Sequence, residues 1–200
     1  MLQSPPVIDR SPLSSRKPNV CMETILLTGG AGFIGSHLAQ ALLETGLYRV
    51  ICLDSLDEFY APQLKEANLR SLYPYPDFSF VRGDIAALDA GALAEICAGR
   101  RVEKIVHLAA RAGVRPSIDD PAAYYRTNVS GTVNLLEFAR TAGVTDFIYA
   151  SSSSVYGDSP LTPWTETLQD LHQISPYAAT KIAGEQLGQQ VADERGRPVG

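Results

Sequence analysis

The sequence predicts an α/β fold, a doubly wound parallel sheet with helices on both faces. Short apolar runs alternate with amphipathic helical stretches along the chain after residue 22. That order builds a parallel sheet with right-handed crossovers. The first run, Ile25-Leu26-Leu27, passes into a loop holding Gly29, Gly30, Gly32 and Gly35, and an apolar-periodic helix follows from Phe33 to Glu44. The second run, Tyr48 to Leu53, ends in an acid, Asp54.

The loop carries the strongest signal. Gly30-x-Gly32-x-x-Gly35 is the spacing of a dinucleotide-binding turn, and Gly29, Gly32 and Gly35 also recur at every third position. The first glycine allows a tight turn out of the strand, and the middle one lets backbone approach a pyrophosphate. The last lets the helix lie close on the sheet, with the amides around Phe33 and Ile34 and the helix dipole facing the phosphates. Asp54 lies 19 residues beyond Gly35, where an acid can accept hydrogen bonds from an adenosine ribose. Its charge repels a 2′-phosphate, so NAD is favoured over NADP. A solvated aspartate at a strand end is the plainer alternative. Together these features make the predicted sheet Rossmann-like.

The later elements follow in order. Residues 55–72 are polar, with helical spacing from Lys65 to Leu72, and Phe78 to Val81 is a third strand. Gly83-Asp84-Ile85 comes next; Asp84 there can hold an adenine amino group or simply cap the next helix. Leu88 to Ala98 is predicted helical and Lys104 to Leu108 a fourth strand, in which His107 reads as a packed core residue. Leu108, Ala109 and Ala110 are small enough for backbone to pass close to a nicotinamide ribose. Pro116 to Pro121 is predicted as a loop, Ala122 to Ala142 as one long helix, and Phe147 to Ala150 as a fifth strand leading into Ser151 to Ser154. A Pro-marked loop runs to Ser175, Tyr177 to Glu194 is helical, and Arg197 to Gly200 begins a sixth strand.

Composition narrows the class. Apolar content of 45%, charged content of 20% and a net charge of −5 describe a globular chain with no basic stripe for nucleic acid. No apolar run approaches the ~18 residues of a membrane span. Residues 1–22 carry four prolines and four serines without an apolar core. They are expected to be a disordered leader ahead of a start at Met22, not a secretory signal. Cys21, Cys52 and Cys97 have no paired spacing for metal or disulfides, so no metal is expected and a reduced, cytoplasmic setting follows.

A second cluster suggests chemistry. Tyr177 and Lys181 stand four residues apart on one helix face. A tyrosine of pKa about 10 is a poor base at neutral pH, but a nearby ammonium favours its phenolate. The serine run closes the preceding strand at its C-terminal end, where open α/β sheets place ligands. Its hydroxyls can hydrogen-bond a substrate oxygen that Tyr177 deprotonates; a serine-rich loop is also often only a loop.

Taken together, Thr28-Gly-Gly-Ala-Gly-Phe-Ile-Gly35, Asp54, Gly83-Asp84-Ile85, His107-Leu-Ala-Ala110, Asn128, Tyr149-Ala-Ser-Ser-Ser-Ser-Val-Tyr-Gly157 and Tyr177-x-x-x-Lys181 resemble the extended short-chain dehydrogenase/reductase family. These are nucleotide-sugar epimerases, dehydratases and decarboxylases, and the motifs run in the family's order from Glu23 onward. Leu53-Asp-Ser-Leu, Phe59-Tyr60, Leu64-Lys65, Ala112-Gly-Val-Arg115 and the four-serine run look most like UDP-glucuronate 4-epimerases.

The resemblance implies NAD as cofactor, held by Gly29, Gly32, Phe33, Ile34, Gly35, Asp54, Asp84, Ile85, Leu108, Ala109, Ala110, Asn128, Tyr177 and Lys181. It implies Tyr177 as base, Lys181 as its tuner and nicotinamide-ribose ligand, and Ser152 as the third catalytic hydroxyl. Arg115, Ser152 and Ser153 are the expected contacts to a UDP-sugar substrate; an exposed loop arginine is the plainer reading of Arg115. Ser153 and Ser154 occupy the positions of the Asp-Glu pair that 4,6-dehydratases use for water elimination, which argues against dehydration. The family implies a homodimer formed by the helices at 122–142 and 177–194. It also implies a C-terminal substrate domain, largely absent if the chain stops in or before a sixth strand. A UDP-glucose 4-epimerase, a uronate decarboxylase, or an NAD-binding module without turnover are the alternatives.

Overall fold

The structure, a computed structural model, describes residues 22–168 and 172–194. The expected leader and sixth strand lie outside these residues, Met22 apart. Five strands, β1 (Glu23–Thr28), β2 (Tyr48–Asp54), β3 (Phe78–Arg82), β4 (Lys104–His107) and β5 (Asp146–Tyr149), form one parallel sheet in the order β3-β2-β1-β4-β5. The chain therefore winds outward from β1 in one direction, returns, and winds outward in the other.

Each strand-to-strand crossover is helical. α1 (Phe33–Glu44) links β1 to β2, α2 (Pro62–Leu72) links β2 to β3, and α3 (Ala90–Ile96) links β3 to β4. α2 begins three residues before the predicted Lys65, because Pro62 occupies its first turn, where a missing N–H is harmless. Asp89 caps α3 by accepting from Ala92 N–H at 2.8 Å, which trims that helix from its predicted start at Leu88.

The region after β4 departs furthest from expectation. Residues predicted as a loop at 116–121 contain a short helix, α4 (Val114–Asp119). Pro116 sits within its first turn, so the lost donor breaks no intrahelical bond. The long helix expected at 122–142 is three joined pieces. α5 (Pro121–Tyr124) is capped by Asp120, a π-helical turn spans Tyr125–Ser130, and α6 (Gly131–Ala142) completes it. A π turn adds one residue per hydrogen-bonded turn and rotates all that follows. Gly143, at φ 71°, ends α6 in the left-handed conformation. α7 (Pro176–Glu194) is the last described element.

The central strands β1, β2 and β4 are covered on both faces and are apolar on both. Leu26, Ile51 and Ile105 pack with Leu93 of α3 and Leu135 and Phe138 of α6. Ile25, Leu27, Val50 and Val106 pack with Ala39 and Leu43 of α1 and Leu72 of α2. Alternate residues of β1 thus serve opposite cores. No described helix is long and apolar enough to cross a membrane.

Leu26 is 0% exposed in the central strand, whereas Leu64 on α2 is 59% exposed. Urea unfolding should show Leu26→Ala losing about 2–5 kcal/mol and Leu64→Ala changing by less than about 0.5 kcal/mol. Equal effects would mean that β1 is not the centre of the sheet.

Candidate active site

β1 lies between β2 and β4, and the connections leave it in opposite directions, so the crevice beyond its C-terminal end is the topological switch point. A cleft of about 830 Å³ opens there. Its walls include Gly29, Gly32, Phe33, Ile34, Gly35, Asp54, Asp84, Ile85, Leu108, Ala109, Ala110, Tyr177 and Lys181. The fold thus gathers onto one surface most of the residues picked out along the chain.

The glycine loop forms the floor. Gly29 has φ +72°, and a Cβ there would lie 2.7 Å from Ala109 N. Only glycine both adopts that turn and lets β1 exit beside the segment after β4. A side chain at Gly35 would run into the carbonyl of Gly29, which holds the first turn of α1 against the strand exit. At Gly32, on the cleft wall, a Cβ would lie 3.1 Å from the Gly29 carbonyl oxygen and 3.6 Å from the Tyr60 hydroxyl. This bare ledge at a helix start suits a diphosphate.

Asp54 closes one end. Its Oδ2 accepts from Ala31 N–H at 3.1 Å and its Oδ1 from Leu56 N–H at 2.8 Å, so the carboxylate links the glycine loop to the loop after β2. Lys65 Nζ is 3.9 Å from Oδ1 and donates to the Asp57 carbonyl at 2.9 Å. Asp84 lines the same wall and also caps its own turn, accepting from Ala86 N–H at 2.9 Å. Asn134 Nδ2 fixes the neighbouring Ile85 carbonyl at 2.9 Å.

Behind the centre of the cleft runs a buried polar chain. Thr132 Oγ1 donates to the Asn128 carbonyl at 2.6 Å, which leaves its oxygen to accept from His107 Nε2–H at 3.0 Å. His107 Nδ1 then accepts from Thr28 Oγ1 at 2.7 Å, assigning the neutral Nε2–H tautomer from the network. Burial, with Lys181 as a lesser contributor, pushes the His107 pKa down to about 3. A neutral core histidine of this kind orders β1, β4 and α6 and stays out of the cleft.

The far end belongs to α7. Tyr177 and Lys181 both reach the cleft wall, and Ser117 Oγ accepts from Tyr177 N–H at 3.1 Å, seating the start of the helix against α4. Lys181 Nζ donates to the Ala150 carbonyl at 2.8 Å and lies 4.9 Å from the centre of the Tyr149 ring. Burial lowers its pKa to about 8, opposed by the Glu185 carboxylate. The ammonium is therefore still the majority form at pH 7. Gly184 lets α7 approach β5, since any side chain there would overlap Tyr149.

Four expected site residues are not on the cleft wall. Asn128 is 1% exposed and stands behind it, bonding both main-chain groups of Arg111 and the Thr180 hydroxyl. Ser152 caps a short 3-10 turn (Ser153–Tyr156), with its Oγ accepting from Ser154 N–H at 3.2 Å. Ser153 lies in that turn and Arg115 in α4. The wall also holds Asp57, Tyr60, Lys65, Arg82, Arg111, Arg126 and Ser151, none of them among the expected site residues. Lys65, read as the start of a helical stretch, is 7% exposed, and its neighbours in sequence carry no signal of that burial.

Floor, acid and Tyr-Lys end form one continuous cleft at the switch point of a parallel α/β sheet. Residues 25–199 match the profile of the NAD dependent epimerase/dehydratase family, and the chain belongs to that family. A UDP-glucuronate 4-epimerase of Thermodesulfobacterium geofontis is 41% identical over 163 residues, which are 81% of this chain and 49% of that one. The crystal structure of UDP-glucuronic acid 4-epimerase from Bacillus cereus with UDP-glucuronic acid and NAD superposes with a TM-score of 0.78 at 36% identity, covering 88% of this chain and 54% of that one. A dTDP-glucose 4,6-dehydratase from Streptomyces venezuelae with NAD bound gives 0.77 at 40% identity, covering 88% and 53%. The chain spans about half the length of the curated relatives it matches.

The His107 shift has a sign. The folded imidazole binds no proton until pH falls to about 3, whereas an unfolded histidine binds one below about 6.5. Its contribution to stability is therefore present above pH 6.5 and is lost as pH falls, by up to about 1.4 kcal/mol per pH unit. Urea midpoints between pH 7 and 5 should fall more steeply for the wild type than for His107→Asn. Parallel slopes would contradict a neutral His107.

Proposed function

We propose that the chain is the cofactor-binding part of an NAD-dependent nucleotide-sugar epimerase that inverts C4 of UDP-glucuronate. One observation carries the proposal: Tyr177 and Lys181 share the cleft with Leu108, Ala109 and Ala110 at one end, while Asp54 and Asp84 lie on the same cleft wall. An adenosine bound at the acids and a nicotinamide at the Tyr-Lys end would span the glycine floor. The bare Gly32 ledge fits the diphosphate between them. Bound NAD⁺ supplies the hydride acceptor and, once reduced, the donor.

The remaining steps belong to the protein. Tyr177 takes the proton from the sugar O4 and later returns it, acting as base and then acid. Lys181, on the same cleft wall, holds the nicotinamide ribose. Ser152, three residues beyond β5 and next to Ser151 of the cleft wall, is the hydroxyl assigned to O4. With NAD held by the cleft residues, inversion would require the 4-keto sugar to present its opposite face between the two proton transfers at Tyr177. Ser153 and Ser154 offer no acid for water elimination, which separates this reading from dehydration. The substrate carboxylate or phosphate is assigned to Arg115.

UDP-glucose is the nearest rival substrate, a uronate decarboxylase the nearest rival reaction, and an NAD-binding module without turnover the rival from another class. The homodimer is part of the proposal. An apolar groove between α6 and α7, lined by Val133, Leu136, Leu187 and Val191, supports a second copy there. A reduced cytoplasmic setting fits Cys52 and Cys97, which are buried free thiols.

The test adds UDP-glucuronate or UDP-glucose to the NAD-loaded chain and follows 340 nm absorbance and sugar products. UDP-galacturonate formed from the uronate is the expected result; pentose product means decarboxylation, and silence with NAD bound favours the module. Tyr177→Phe should lower turnover by about 10²–10⁴-fold with NAD affinity little changed. Lys181→Met should raise the NAD dissociation constant and lower turnover, read by calorimetry and by product formation, because Lys181 lies on the cleft wall. Wild-type affinity and turnover in that variant would remove Lys181 from the site.

A further inference from the structure

Arg111 and Asp57 form an ion pair that the proton transfer does not require. Arg111 follows β4, Asp57 follows β2, and β1 stands between those strands. Neighbouring strands lie about 4.8 Å apart. The 2.9 Å contact from Arg111 Nη2 to Asp57 Oδ2 therefore bridges two strand spacings, across the end of β1 where the glycine floor begins. Both residues line the cleft, and with side chains 25% and 39% exposed they mark its rim.

Each partner is anchored separately. Arg111 N–H donates to Asn128 Oδ1 at 2.8 Å, and Asn128 Nδ2 donates back to the Arg111 carbonyl at 2.9 Å. Both bonds use main chain, so they survive a change of the Arg111 side chain. Asp57 Oδ1 accepts from Phe59 N–H at 2.8 Å, and the Asp57 carbonyl accepts from Lys65 Nζ. The preceding Leu56 holds a left-handed φ of 55°, uncommon for leucine, with its N–H on Asp54. A strained turn tied at both ends thus presents Asp57 to the crevice. Two pre-positioned charges lose little side-chain entropy when they meet, unlike most surface pairs.

We propose that Arg111 and Asp57 are a clasp that retains the dinucleotide, parting when it enters or leaves the cleft. The clasp rests on the reading of the cleft as an NAD site. Its use follows from the reaction: the reduced cofactor must stay until hydride is returned, because early release strands the 4-keto sugar. Both are positioning residues that act on the cofactor through each other.

The test measures NADH release from the full chain by stopped-flow fluorescence, with excess NAD⁺ as the trap. Arg111→Met and Asp57→Asn should each speed release about fivefold. Asparagine keeps a side-chain oxygen for Phe59 N–H, so that variant preserves the turn. The double variant should release no faster than either single one, because both remove the same contact. Raising salt should speed the wild type toward the variants. Single variants that release at the wild-type rate, or a double variant whose effects multiply, would overturn the clasp. A wild-type chain that binds no dinucleotide overturns the cleft reading and the clasp with it, and equilibrium titration separates that result from the others.

Discussion

The close approach of backbone to backbone at the exit of β1 is the constraint on which the rest depends. Gly29 turns through a positive φ against Ala109, while Gly35 lays the start of α1 against the Gly29 carbonyl. Gly30 faces the Cys52 sulfur, where a Cβ would lie 2.5 Å away. Three contacts thus pin one short loop to β2, to α1 and to the segment after β4. The floor of the cleft is bare because no side chain fits on most of it. Tight packing and an anion-binding surface are two results of one steric requirement.

Precision at the other end comes from buried polar bonds. Thr28, His107, Thr132 and Asn128 run from the central strand through β4 into α6, and Asn128 continues to Thr180 on α7. Thr180 precedes Lys181, so α7 is registered against the strand that carries the glycine loop. The side chains of these four residues are satisfied within the chain, which favours one arrangement over slipped alternatives. Asn128 also grips Arg111, so one side chain orders the cleft wall and the Tyr-Lys helix together.

Much of this was legible in the sequence because the signals are local. The β1-glycine-α1 unit needs only residues 23–44 to declare itself, and α1 occupies the predicted Phe33–Glu44. Asp54 and the Tyr177-Lys181 pair follow from spacing along single elements. What stayed hidden depends on contacts between distant segments. Pro116 reads as a loop signal, yet a first-turn proline leaves α4 intact. Asn128 was placed with the cofactor, but its hydrogen-bonding groups face main chain and Thr180. The Arg111–Asp57 pair arises only once β2 and β4 flank β1, and Lys65 becomes buried only when α2 folds back onto Asp54 and Asp57.

The central claim is that the cleft beyond β1 holds NAD. The most direct measurement denatures the purified chain, identifies any released nucleotide by mass, and titrates NAD and NADP back by calorimetry. The account predicts released NAD or NADH, or saturable binding of NAD in preference to NADP, with binding lost in Gly32→Val, whose side chain would stand on the diphosphate ledge. A folded chain that binds neither dinucleotide, or that binds NAD equally well with Gly32→Val, would contradict it.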